Sequence, residues 1–314
     1  MVFSSTPVVL AAIGETISEK SGVINLSLDG SIALSAMTGF AVAFTTGSVT
    51  LGILAAMMVG ALVALLVAFS CLTLRQEQVA VGFVLTMLCT ELADFLGNPF
   101  VRRPGPSVPP MPIPYLCDIP FLGPILFRHN AMVYLSFLVV VAAWWWIART
   151  QPGLKLQGVG ERPESAFARG VDVNLLRYVY TIVGGALVGL AGAAYSLSIK
   201  LGWSHGHTTG IGWIALAIVI FGGWTPWRVA IGAYFFALLK ALGSILQRNP
   251  AFEGVPTQIF SSAPFALMIF ALLLLSSKGV DRVLALFPPQ IARRLDRLIR
   301  GRAPGGLGRT FVQE

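Results

Sequence analysis

Charge is scarce in this chain. Only 11% of its 314 residues are Asp, Glu, Lys or Arg, where a soluble domain carries about 25%. That is too little polar surface to coat a globule in water, so a soluble reading is excluded. Cysteine is scarcer still. Cys71 and Cys89 fall within apolar runs and Cys117 stands alone in a loop, which permits neither a disulfide framework nor a metal-ligand spacing. The dipeptide Gly-Lys does not occur, so the phosphate-binding GxxxxGK(S/T) loop is absent. Any ATP that drives this protein must be hydrolysed on another chain. No grouping of nucleophile, base and metal ligands stands out, so neither an enzyme nor a cofactor is expected. No secretory leader is expected, because the first basic residue, Lys20, follows the first apolar segment.

What the chain has is apolar surface. Apolar residues make up 55% of it and the mean hydropathy is +0.77, so the bilayer has to serve as its solvent. The runs predict an all-α, polytopic membrane helical bundle with eight or nine spans, over residues 2–17, 23–46, 50–72, 79–97, 131–148, 178–199, 213–224, 229–247 and 259–276. The run at 213–224 is too short to cross unless its helix is broken. Residues 1–276 read as one transmembrane domain and 277–314 as a basic tail.

The net charge of +8 does not indicate nucleic acid, because the charges flank apolar runs. Residues 149–177 hold Arg149, Lys155, Arg162, Arg169 and Arg177, and the segment after Ser276 holds eight further basic residues from Lys278 to Arg309. Both are expected in the cytoplasm. Four spans separate them, so the two assignments agree. Residues 98–130 then fall outside, with the prolines of 104–114 forming a stiff, extended segment. Trp144, Trp145 and Trp146 mark the cytoplasmic headgroup layer. Residues 291–302 read as a basic amphipathic helix on the inner leaflet.

Ionisable residues within the runs are candidates for function. Asp29, Glu91, Asp94 and Lys240 are the ones considered. Glu91 and Asp94 share a helix face close to Gly97-Asn98-Pro99, which suits an interfacial position as well as a deep one. In NLSLDGS, residues 25–31, Asn25, Ser27 and Asp29 alternate with apolar residues and Gly30 follows. This fits either a broken helix whose freed polar groups face a solute path or an ordinary helix cap. Gly185, Gly189 and Ala193 lie four apart and invite close helix packing. His205 and His207 suit a solvated outer loop better than a metal site. Trp203, Trp213, Phe221 and Trp224 offer either stacking faces for a base or sugar, or packing.

Between two apolar runs lies GVGERPESAFARGVDV, residues 158–173. Pro163 can open a short helix with Glu164 at its positive end, and Gly170 can end it with Arg169 at its negative end. On residues alone this is either a solvated loop or a rigid polar contact for a soluble partner. Three blocks together resemble one family. They are TPVVLAAIGETISEKSGVINLSLDG (6–30), GERPESAFARGVDV (160–173) and GIGWIALAIVIFGGWTPWR (210–228). They are similar to the permease subunits of ATP-binding cassette importers of the branched-chain amino acid, ribose and nucleoside branch. The nearest group is the nucleoside or simple-sugar permeases that work with a lipoprotein binding protein. This chain departs from the family's pattern at Ser27, where glycine is usual, at Asp29, where glutamate is usual, and at Arg162, where asparagine is usual.

The resemblance implies a multi-pass permease of a bacterial inner membrane that translocates a nucleoside or simple sugar. Its partners would be a second permease subunit in a heterodimer, a cytoplasmic ATPase subunit, an external binding lipoprotein and the lipid bilayer. Gly160, Glu161, Arg162, Pro163, Glu164, Ser165, Ala166, Arg169 and Gly170 would form the cytoplasmic coupling helix that docks on the ATPase. Asn25, Ser27, Asp29, Gly30 and Trp213 would belong to the translocation pathway. The alternative from another class is an ion-driven carrier or channel.

Overall fold

The structure is a computed structural model that describes residues 1–117, 119–120 and 123–248, with short pieces of 256–270 and residues 301–309 and 311. Along the chain the helices are α1 (Val2–Lys20), α2 (Leu28–Thr46), α3 (Val49–Ala68), α4 (Gln78–Gly97), α5 (Ala131–Arg149), α6 (Gln151–Glu161), α7 (Pro163–Phe167), α8 (Val173–Ala194), α9 (Ile211–Phe221) and α10 (Pro226–Gln247). No strand occurs among the described residues. Six of these helices, α2, α3, α4, α5, α8 and α10, are long and apolar enough to cross a membrane. Short π-helical or 3-10 turns extend α3, α4 and α8. The expected all-α polytopic bundle is the architecture found.

Several expected boundaries shift for identifiable reasons. The first run is a helix, but α1 carries Glu15, Glu19 and Lys20 in its last turns and is buried along most of its length, packed on α8, α9, α10 and α5. The second span begins at Leu28 rather than residue 23, because residues 21–27 form a turn. The sixth begins at Val173 rather than Tyr178, because Asp172 caps it by accepting the Leu175 N–H at 3.0 Å. The expected ninth span and the amphipathic helix at 291–302 lie, but for scattered residues, outside the described residues.

The small residues of α8 explain how the bundle closes. A Cβ on Gly189 would lie 2.2 Å from the Ala56 carbonyl oxygen of α3, and one on Gly184 would lie 2.5 Å from the Gly14 carbonyl oxygen of α1. Backbone therefore meets backbone on two sides of α8. In lipid, where apolar burial drives nothing, such close packing holds helices together.

The bundle has two distinct ends. One gathers α6, α7, the 21–27 turn and residues 301–309 with Phe311. The other gathers Met1, residues 98–117 and 123–130, and residues 200–210. The proline segment expected to be extended contains no helix over 104–113. It is tied down at this second end: the Val108 N–H donates to the Leu197 carbonyl at 3.0 Å and the Met111 N–H to the His129 carbonyl at 2.9 Å.

Candidate functional site

Two places bring sequence-predicted residues together, one inside the bundle and one at its α6–α7 end. The interior place forms around the 21–27 turn. Buried backbone must find partners, and here side chains supply them. The Ile24 N–H donates to Gln78 Oε1 at 2.8 Å, and the Asn25 N–H to Glu15 Oε1 at 3.0 Å. The Ser27 hydroxyl and N–H both donate to Asn25 Oδ1, at 2.5 and 3.1 Å. The Thr86 hydroxyl donates to the Leu26 carbonyl at 2.8 Å. Asn25, Ser27 and Ser31 are all buried. Gly30 sits so close to the α4 backbone that a Cβ there would lie 2.4 Å from the Thr86 carbonyl oxygen.

Asp29 joins two helix starts. It lies in the first turn of α2, and its carboxylate accepts the N–H groups of Gly212 at 2.8 Å and Gly210 at 3.1 Å, at the start of α9. The positive ends of two helices thus share one carboxylate. Sequence offered a solute path or an ordinary cap; the carboxylate on α2 caps the start of another helix, α9. Trp213 follows directly on α9, 38% exposed, with its ring 5.4 Å from that of Phe83 on α4. Trp203 and Trp224 are buried and packed, the indole N–H of Trp224 donating to the Glu19 carboxylate.

The ionisable residues deep in the protein differ from most of those singled out. Glu91 and Lys240 are exposed. Asp94 pairs with His205 across 3.3 Å, and His205 also meets Asn98 Oδ1 at 3.1 Å. This pair ties residues 200–210 to the end of α4, and no group of three or more metal-ligating side chains occurs among the described residues. Among the described residues, Glu15, Glu19, Asp29 and Arg177 are the buried ones. Glu15 and Glu19 were not singled out from the sequence, although two acids four apart at the end of an apolar run share one helix face. Arg177 was counted as a loop charge, and the structure places it fully buried inside α8.

A cavity of about 530 Å³ opens at the second end between α1, α9 and α10. Ser4, Ser5, Tyr195, His207, Lys240 and Ser244 supply its polar lining. Burial lowers the His207 pKa from its ordinary value, which favours the neutral imidazole. None of Asn25, Ser27, Asp29, Gly30 or Trp213 lines this cavity.

At the opposite end, Pro163 opens α7 with Glu164 in its first turn, and Gly170 follows in the left-handed region at φ +77°. This is the short helix expected from the sequence. The helix before it, α6, was not expected. Its signal was present: Thr150 accepts the Gly153 N–H at 3.1 Å, and Pro152 occupies the first turn. Between α6 and α7 lies a cleft of about 460 Å³. Glu161, Arg162, Ser165, Ala166 and Arg169 line it together with Lys155. Gly160 is buried beneath, where a Cβ would fall 2.1 Å from the Lys20 carbonyl oxygen.

A family model described as "Branched-chain amino acid transport system / permease component" matches residues 1–274. The chain is 40% identical to the putative glucose ABC transporter permease protein TsgC13 of Haloferax volcanii, over 77% of this chain and 74% of that one. It is 33% identical to the guanosine ABC transporter permease protein NupQ of Bacillus subtilis, over 85% of this chain and 88% of that one. It is 30% identical to the nucleoside ABC transporter permease protein NupC of Lactococcus lactis, over 89% of this chain and 92% of that one. No solved structure matches it.

Proposed function

Because the chain belongs to the family of branched-chain amino acid transport system permease components, we propose that it carries a nucleoside or simple sugar inward across a bacterial inner membrane, with its α6–α7 end in the cytoplasm. It is a permease subunit of an ATP-binding cassette transporter, a multi-pass membrane protein and not an enzyme. This sets aside the ion-driven carrier. Its partners on this reading are an ATPase subunit at the α6–α7 end, a binding lipoprotein at the opposite end and a second permease subunit beside it in the bilayer.

The observation that carries the reading is α6–α7. It is a pair of short helices bearing exposed Lys155, Glu161, Arg162, Glu164 and Arg169 on a bundle otherwise dominated by apolar helices. Helices present these charges rigidly, as a docking surface for a soluble protein requires. The interior knot around Asn25, Ser27, Asp29 and Gly30, with Trp213 beside it, supports the pathway by holding the starts of α2 and α9. The cavity at the second end has the volume of a small-molecule site and hydroxyl groups suited to a hydroxylated solute.

The test is a charge swap that leaves net charge unchanged. Arg162→Glu combined with Glu164→Lys sets like charges against a partner matched to the native pattern. ATP-driven uptake by the reconstituted transporter is expected to fall by about tenfold or more, while the permease still inserts. Full uptake by this double variant would remove α6–α7 from the docking surface.

A further inference from the structure

Residues 301–309 and 311 approach the bundle from its α6–α7 end and touch five parts of it, α8 among them through Arg177. The Gly306 N–H donates to the Gly160 carbonyl of α6 at 2.7 Å, and the Gly305 N–H to the Glu161 carboxylate at 3.2 Å. The Gly308 N–H donates to the Gly22 carbonyl of the 21–27 turn at 3.0 Å. The Phe311 ring meets that of Phe167 on α7 edge to face, with centroids 5.8 Å apart. Gly301 lies against Gly223, in the turn between α9 and α10. Pro304 and Gly306 are buried although the segment has no regular structure.

Arg177 is the centre of this arrangement. Its Nε donates to the Ser21 carbonyl at 3.1 Å, its Nη1 to the Arg309 carbonyl at 3.0 Å and its Nη2 to the Gly306 carbonyl at 3.5 Å. A guanidinium is a fixed fork of five N–H donors, so one side chain on α8 holds two chain segments in register. Gly22, at φ +96°, is shaped by the same group: a Cβ there would lie 2.8 Å from Arg177 Nη2. The 21–27 turn continues directly into Asn25, Ser27 and Asp29.

We propose that residues 301–309, with Phe311, are a strap that makes α6–α7 and the 21–27 turn move as one body, with Arg177 as its positioning residue. This rests on the reading of α6–α7 as the helices that dock on the ATPase. Movement imposed there then reaches the starts of α2 and α9 through the hydrogen bonds at Gly160, Gly22 and Arg177, rather than through the membrane helices alone.

The experiment uses the full transporter in proteoliposomes, with ATP hydrolysis and solute uptake measured on the same sample. Gly306→Val places a Cβ 2.9 Å from the Gly160 carbonyl oxygen, which pushes the strap off α6. Solute carried per ATP hydrolysed is expected to fall by roughly threefold to thirtyfold, with hydrolysis and ATPase co-purification unchanged. An unchanged ratio, or an equal fall in hydrolysis and uptake, overturns the proposal. If that variant is lost from the membrane, Phe167→Cys with Phe311→Cys decides, in a background lacking Cys71, Cys89 and Cys117. A short thiol crosslinker should join the pair in the resting transporter, and failure to join them overturns the strap. Absence of ATP-driven uptake in the unmodified transporter would instead defeat the importer reading, leaving the crosslink to test the strap by itself.

Discussion

Asp29 shows how much one side chain can hold in place. Its two oxygens accept N–H groups from Gly210 and Gly212, and leaving such groups unpaired in an apolar interior costs about 1–3 kcal/mol each. Asp29→Ala is therefore expected to lower both uptake and the melting temperature of the detergent-solubilised protein. Asp29→Asn keeps one acceptor oxygen and should lose less of each. Full uptake and unchanged melting in the alanine variant would show that α9 starts correctly without this carboxylate. In the sequence, Asp29 stood out because it alternates with Asn25 and Ser27, but its partners lie 181 and 183 residues away. A carboxylate's own position is visible in a run of residues, whereas the backbone donors that it satisfies carry no residue signature. Arg177 was misjudged for a similar reason, since three backbone carbonyls are as invisible in sequence as two N–H groups.

Among the elements, α7 was legible because Pro163 and Gly170 mark its ends, whereas the start of α6 depends on Thr150 and Pro152 inside a stretch that reads as loop. The spacing of Gly185, Gly189 and Ala193 correctly indicated a close helix contact, and the structure supplies α3 as the neighbour. A β-branched residue at this crossing forces backbone apart. Gly189→Val should destabilise the protein by about 1–3 kcal/mol, the usual cost of overpacking, read as reduced abundance in the membrane and a lower melting temperature. Gly158 makes the matched control: it sits in α6, and a Cβ added there would meet nothing within 4 Å. Gly158→Ala should be neutral or stabilise by up to about 1 kcal/mol, because glycine inside a helix costs conformational entropy. Equal losses at both positions would mean that the cost at Gly189 does not come from its contact with α3.

For the whole molecule, the basic residues and the two ends of the bundle make a topological prediction. A cysteine at exposed Ser107, with Cys71, Cys89 and Cys117 replaced, should react with an impermeant thiol reagent applied outside. One at exposed Ser165 should react only after the inner face is opened. The reverse pattern would invert the protein in the membrane. The parity of spans already placed residues 149–177 and the basic tail on one side, and residues 301–309 do meet Gly160 and Glu161. That docking itself was not legible, because APGGLGR, residues 303–309, has the composition of a linker. It also sets an order of events during synthesis. Gly22, Gly160 and Arg177 leave the ribosome long before Gly306 and Arg309. A buried charge lacking its partners costs several kcal/mol, so the Arg177 guanidinium stays hydrated until the carbonyls of the strap arrive. The face built last is the one at α6–α7, and a nascent chain offers it in finished form only after residue 309 has been made.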